Sequence, residues 1–413
     1  MVTGALERRP NMRLRHALGV GVGLSFLAVT AYLTLLDAVG NHGGRTEGPA
    51  QRPAANLRQL SPGELADAYT AAQARFAADP LDATALIELS HIAEARGDNE
   101  AAERLRLIAG QMQPRSAPVQ AQALTILLKR RDFDGVMARL DGLIRARPQQ
   151  SGQLFAIAAE IATDPEGSAA VARMMAARPP WRQAFFAHVV ANNPAGTPQR
   201  ILAALHSAGT QADTQELAVL IDHELRRRDI DSAYAVWLSS LSSTELKRVK
   251  RVYDGGFDAD VRSLRFDWTV KPSEGFSYRL FPRNTASMDR TLQIDFAGFR
   301  GPFAHVSQIL RLRPGRYRLN GEVHTESLEA PSGFAFRIHC LAQGSDASAT
   351  ETAALPQASQ WMDFEKSFVI PASGCADQLL QLESVDQSDR AQSMRGQIAS
   401  DNISIDSVAE LDP

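Results

Sequence analysis

The 413-residue chain has only two cysteines, Cys340 and Cys375, with no Cys-x-x-Cys spacing. Such isolation argues against thiol catalysis. Charge of one sign is also missing: 44 basic and 47 acidic residues leave a formal charge of −3. A protein devoted to nucleic acid carries a basic excess, so that class is excluded as a partner. No GxSxG, HExxH, Walker or GxGxxG element occurs, and the nine histidines are scattered without metal-ligand spacing. A glycosidase would need two carboxylates roughly 5–9.5 Å apart at one cleft, and no acid pair in the helical region is marked by its spacing. These absences point to a non-enzyme.

One long charge-free run is present. Residues 17–36 carry no charged side chain, and Arg8, Arg9, Arg13 and Arg15 stand before them. At about 1.5 Å per residue a helix of that length spans a hydrocarbon core of roughly 30 Å. Basic flanks stay cytoplasmic, which predicts an inner-membrane signal anchor with the bulk of the chain periplasmic. A cleaved secretory signal leaving at Ala38-Val39-Gly40 and a buried soluble helix are the alternatives. No cysteine follows the run, so it is not a lipoprotein signal. Residues 1–16 then form a basic cytoplasmic tail, and the Gly- and Pro-rich residues 37–56 a flexible tether.

Residues 57–253 are alanine-rich and helix-periodic. The dipeptides Asp79-Pro80, Gln113-Pro114 and Arg147-Pro148 recur at a constant interval, and between them stand the turns Gly97-Asp98 and Arg131-Asp132. Ala101 aligns with Gly135, where paired helices are expected to approach closely, and Leu89 and Ile92 align with Ala123 and Ile126 as an inward stripe. This helix–turn–helix–proline period resembles the tetratricopeptide repeat, and the resemblance implies an α-solenoid that docks protein partners. Arg228-Asp229 echoes the same turn further on. Met174, Met175, Trp181, Phe185 and Phe186 crowd one stretch, which reads as core between helix pairs, with a sticky partner surface as the rival. The basic run Lys247-Arg248-Val249-Lys250-Arg251 reads as a solvated helix end.

At Gly255-Gly256 the pattern changes to short β-rich segments, nine of them through residue 405, beginning with 262–270. Their alternation predicts a β-sandwich or jelly roll over residues 254–413. The expected fold class is thus multi-domain, α then β: a transmembrane helix, an α-solenoid of helical hairpins and a C-terminal β-sandwich. In an oxidising compartment Cys340 and Cys375 are a disulfide candidate, with two buried free thiols as the alternative.

Five pieces of this region resemble the jelly-roll carbohydrate-binding modules that accompany glycanases: Gly255-Gly256-Phe257-Asp258 with Phe266-Asp267-Trp268, the strand Arg290–Phe296, Leu312-Arg313-Pro314-Gly315-Arg316-Tyr317, the stretch from Trp361 to Pro371, and Asp401-Asn402-Ile403. The resemblance implies that the first and last segments are neighbours and that Asp258 and Asp401 hold a structural calcium. It also implies aromatic rings that stack on sugars. Tyr278, Phe299 and Phe303, beside Arg, Gly or Pro, are the ligand-binding candidates, whereas Trp268, Phe296, Tyr317, Phe336 and Trp361 are expected in the core. The function expected is a non-catalytic, membrane-anchored periplasmic scaffold in envelope polysaccharide synthesis or export. An accessory enzyme on surface glycan and a protein-only assembly factor that binds no sugar are the alternatives.

Overall fold

The computed structural model describes residues 60–192, 196–283, 289–330, 332–341, 355–386 and 393–408. The basic tail, anchor and tether lie outside the described residues. Among the described residues no helix is long and apolar enough to cross a membrane. The chain divides into two compact units, one ending at Gln211 and the other starting at Ala212.

The first unit is helical. Helix α1 (Pro62–Ala78) opens with a capping box in which Ser61 and Glu64 satisfy each other's free N–H groups. Helices α2 (Ala83–Ala95) and α3 (Asn99–Met112) are followed by α4 (Ala117–Lys129) and α5 (Phe133–Ala146), each starting and ending 34 residues after its counterpart. The turns match too. Gly97 and Arg131 adopt left-handed φ values of 83° and 56°, and the aspartate after each caps the next helix. The N–H of Ala101 donates to Asp98 and that of Gly135 to Asp132, both at 2.9 Å. Each such cap stabilises its helix by about 1 kcal/mol. Leu89, Ile92, Ala123 and Ile126 are all buried, as the aligned stripe predicts. Gly135 differs from expectation. The atoms nearest a Cβ there would be the Asp132 carboxylate of its own helix cap, at 2.6 Å, and not a neighbouring helix.

Helices α6 (Ser151–Ile161), α7 (Pro165–Ala176), α8 (Arg182–Asn192) and α9 (Thr197–Ser207) complete this unit. Met175, Trp181, Phe185 and Phe186 are buried, and Trp181 and Phe185 pack around Phe155. Trp181 retains a partner for its indole N–H, Asp141 at 2.7 Å. The Met–aromatic stretch is core.

The second unit begins with helices α10 (Thr214–Arg226), α11 (Ile230–Ser239) and α12 (Ser243–Leu246), and Arg228-Asp229 repeats the left-handed residue and aspartate cap. A β-sandwich of two antiparallel sheets follows, with nine strands among the described residues: β1 (Thr269–Val270), β2 (Phe276–Pro282), β3 (Arg290–Arg300), β4 (Val306–Leu310), β5 (Gly315–Glu329), β6 (Phe334–Cys340), β7 (Met362–Ile370), β8 (Gln378–Ser384) and β9 (Ser393–Ser407). One sheet has the order β1-β4-β8-β6 and the other β2-β3-β9-β5-β7.

Helix α11 is welded to the sandwich by aromatics. Trp237 lies 5.2 Å from Tyr253 and 5.8 Å from Phe266 between ring centroids. Gln308 then clips the connecting segment, accepting from Tyr253 N–H at 2.8 Å and donating to its carbonyl at 2.9 Å. A buried amide that meets both backbone groups of one residue replaces a missing strand partner. The segment 262–270, expected to be a strand, contributes only Thr269–Val270 to a sheet. Ser263 and Arg265 sit at φ 58° and 70°, and the Asp267 carboxylate takes the N–H of Leu264 at 2.6 Å. That side-chain bond competes with strand pairing and wins.

Trp268, Phe296, Tyr317 and Phe336 are in the sandwich core, as expected. Cys340 and Cys375 form a disulfide that ties the end of β6 to the approach of β8.

Candidate functional site: the outward face of the five-stranded sheet

Register decides which side chains share a face. Leu292, Ile294 and Phe296 of β3 point into the core, so Thr291, Gln293 and Asp295 lie on the opposite face, where Thr291 and Gln293 are themselves covered by neighbours. Across the ladder they align with Phe281, Arg279 and Ser277 of β2 and with Ala399 and Gln397 of β9. Asp401 of β9 aligns with Glu322 of β5, and Ala399 with His324. A bulge at Asn402, with φ 53°, shifts the parity of β9, which returns Ile403 and Ile405 to the core.

Two groups of side chains stand on this face. At the β2 side, Arg279 lies over Phe281 with 5.3 Å from guanidinium carbon to ring centroid, and its Nε is 3.5 Å from Asp295. Gln293 donates to Asp295 at 2.9 Å. Phe281 is 50% exposed, an unusual state for a phenylalanine. Near the β5–β9 junction, Arg283 donates to Asp401 at 2.9 Å and also pairs with Glu322. Its guanidinium lies over Trp361, 4.6 Å from the ring centroid, and the His324 ring is 5.6 Å from the same indole. Partly exposed aromatic rings thus alternate with carboxylates, an amide, an imidazole and guanidinium groups.

The expected ligand residues separate on inspection. Tyr278 is 39% exposed, on the edge strand β2. Phe299 and Phe303 are corrections: they are 4% and 0% exposed, inside an aromatic cluster with Phe276, Phe296 and Phe334. Their loop-like neighbours misled because the chain turns at Gly298 and Gly301, both with positive φ, while the rings fold inward. Trp361 is the converse case, expected in the core yet only partly buried and paired with Arg283. It precedes β7 directly, and a signal for it was its place between Gln360 and Met362-Asp363 outside the strongly alternating run.

The first and last segments of the sandwich do run side by side, with Ile403 N–H donating to the Gly255 carbonyl at 2.9 Å. A Cβ on Gly255 would strike the Ile403 carbonyl at 1.8 Å, so only glycine fits there. A Cβ on Gly256 would stand 3.5 Å from Asp258 Oδ2, 3.9 Å from Asn402 Oδ1 and 4.0 Å from Asp401 Oδ1. Three side-chain oxygens therefore surround the space that this glycine leaves free. Oxygen-only donors suit a hard cation. Among the described residues no group of three His, Cys, Asp or Glu side chains could hold a metal, so main-chain and amide oxygens would have to complete such a shell.

Asp401 is fully buried, and burial drives its pKa up to about 6 against the lowering hydrogen bonds from Asn402 N–H and Arg283. An acid whose folded pKa is raised holds its extra proton more tightly in the folded state. Its stability contribution is therefore present at low pH and lost as pH rises from 3.8 towards 6. Asp401→Asn removes that ionisation. At pH 7 the variant is expected to gain on the order of 2–3 kcal/mol relative to wild type in metal-free buffer, and the gain should vanish near pH 4. Denaturant unfolding across that range, followed by hydrogen exchange in β9, measures it. A pH-independent difference would reject the buried-charge account.

No family model matches the chain and no curated protein matches it. Solved structures similar to part of the chain include carbohydrate-binding modules and a domain of bacteriophage CBA120 tailspike protein 4. One is the CBM22-1 xylan-binding domain of Paenibacillus barcinonensis Xyn10C, 17% identical over 33% of this chain and 83% of that one, with a TM-score of 0.26. A CBM4 module is 14% identical over 38% and 99%, with a TM-score of 0.28. TmCBM61, solved with β-1,4-galactotriose, is 14% identical over 39% and 99%, with a TM-score of 0.26.

Proposed function

We propose that this protein is a non-catalytic glycan-binding protein whose ligand lies across the outward face of the five-stranded sheet. The observation that carries the reading is Phe281 and Trp361, two incompletely buried aromatic rings set among Arg279, Asp295, Glu322 and His324. Sugars present apolar ring faces and hydroxyl edges, and this surface offers stacking planes and polar partners for both. Calcium held by Asp258, Asp401 and Asn402 would fasten the first and last segments of the sandwich and so steady the edge of that face.

The larger setting is part of the same proposal. Residues 17–36 anchor the chain in the inner membrane, the 34-residue helical pairs act as a tetratricopeptide-like solenoid that docks proteins, and the sandwich holds envelope polysaccharide during synthesis or export.

Calorimetry of the full chain with envelope polysaccharide fragments tests the binding site. Few stacking rings and a flexible ligand lead us to expect a Kd from about micromolar to millimolar. Trp361→Ala is expected to weaken binding roughly tenfold, a loss of about 1.4 kcal/mol. Phe299→Ala is instead expected to destabilise the fold. Chelation of calcium should lower the melting temperature and weaken binding together. No glycan binding by a folded chain in calcium would favour the protein-only assembly factor, and turnover of the fragments would favour the enzyme.

A further inference from the structure

A cavity of about 720 Å³ opens in the second unit between residues 247–258 and 402–406 of β9. It is separate from the aromatic groups described above, but Gly256, Asp258 and Asn402 of the oxygen cradle also line it. One wall is the basic run that follows helix α12, with Lys247, Arg248, Lys250 and Arg251 all at the lining. The run was read above as a solvated helix end, yet its side chains converge on a concavity. Opposite stand Asn402, Ser404 and Asp406, and with Asp254 and Asp258 three carboxylates share the lining and can accept from hydroxyls.

The cations outnumber the carboxylates, and only Arg248 is ion-paired among the described residues. Lys247 and Lys250 have no ion-pair partner among the described residues, and Arg248 is 3.7 Å from Asp254, beyond hydrogen-bond distance. Arg251 meets only uncharged oxygens, the Ile405 carbonyl at 3.5 Å and Ser407 Oγ at 3.3 Å. Four cations against three carboxylates, with Lys247 and Lys250 exposed and without an ion-pair partner among the described residues, leave this concave surface with a positive excess that attracts an anionic ligand, because the low-dielectric walls strengthen the field. The volume falls within the usual range for sites that enclose a small ligand, about 300–1,000 Å³. An inorganic anion would leave most of that space empty, whereas a sugar ring bearing a carboxylate would use the cations and the opposite hydroxyl acceptors together.

We infer that this cavity binds a carboxylate-bearing sugar unit of an acidic polysaccharide. The inference rests on the glycan reading above and assigns its charge class. Backbone shape holds the cavity open: Gly255 must lie against Ile403, and Asp254 turns the chain with a left-handed φ of 50°.

Calorimetry of the full chain with an oligogalacturonate and with its carboxyl-reduced, neutral form tests it, calcium being held constant. The acidic form is expected to bind at least about tenfold tighter at low salt, and the advantage should disappear as ionic strength rises past a few hundred millimolar. Lys247→Gln combined with Lys250→Gln should remove the advantage while leaving the melting temperature unchanged, since both side chains are exposed. Trp361→Ala should weaken the acidic and neutral forms alike. Equal affinity for the two forms, or an advantage untouched by the lysine pair, overturns the cavity assignment while leaving the sheet-face reading intact. Failure of both forms to bind overturns both. Inorganic phosphate competing as well as the oligosaccharide would show a simple anion site and overturn the sugar assignment.

Discussion

Phe303→Ala is expected to unfold the β-sandwich rather than to impair a binding site. The ring is fully buried, and its centroid lies 5.2 Å from Phe276 and Phe296, 5.6 Å from Phe299 and Phe334, and 5.2 Å from His305. Truncating it would leave a cavity among the five rings that pack against it, and Phe→Ala at such a site removes about 3–5 kcal/mol. The cost should stand near the upper end, because neighbouring rings are rigid and collapse poorly into the space. Because the chain has two compact units, a single melting curve would mix their transitions. Hydrogen exchange of amides in β3 and β9 reads the sandwich alone. Protection lost across both strands is the expected result. Unchanged protection with weakened glycan binding would return Phe303 to the ligand surface.

Removal of the Cys340–Cys375 disulfide has the next largest expected effect. The bridge spans a sequence separation of 35 residues, and both sulfur-bearing residues are buried. Closing a loop of that length in the unfolded chain accounts for roughly 3–4 kcal/mol in the chain-entropy picture. A Cys340→Ala, Cys375→Ala variant keeps both strand ends but releases the loop, so its effect reads the cross-link with only a small packing loss. Unfolding of the sandwich should move to lower denaturant, with the helical unit unchanged. A second result bears on location. Recovery of both residues as free thiols from the native compartment would contradict an oxidising environment and with it the periplasmic proposal.

The chain alone determined the helix-then-strand order, eight of the nine strands to within a few residues and the repeated turns, and it named Cys340 and Cys375 as the candidate pair that the structure joins. These features are local. Pro80, Pro114 and Pro148 stop helices, Asp98 and Asp132 cap them, and period-2 alternation in β3 needs no distant partner. The short β1 escaped such reading because its fate turned on the Asp267 carboxylate reaching back to Leu264 N–H.

Only the tertiary structure decided which aromatics are buried and which meet solvent. A phenylalanine beside glycine or proline reads the same in sequence whether its ring turns in, like Phe299, or turns out, like Phe281. That choice depends on cross-strand register, which pairs residues far apart in the chain. The Asn402 bulge shows the sensitivity: one extra residue puts Asp401 on the outward face beside Glu322 and returns Ile403 to the core. The basic run at residues 247–251 could not be told from an ordinary helix end until β9 was found opposite, since a cavity has two walls and the sequence presents them about 150 residues apart.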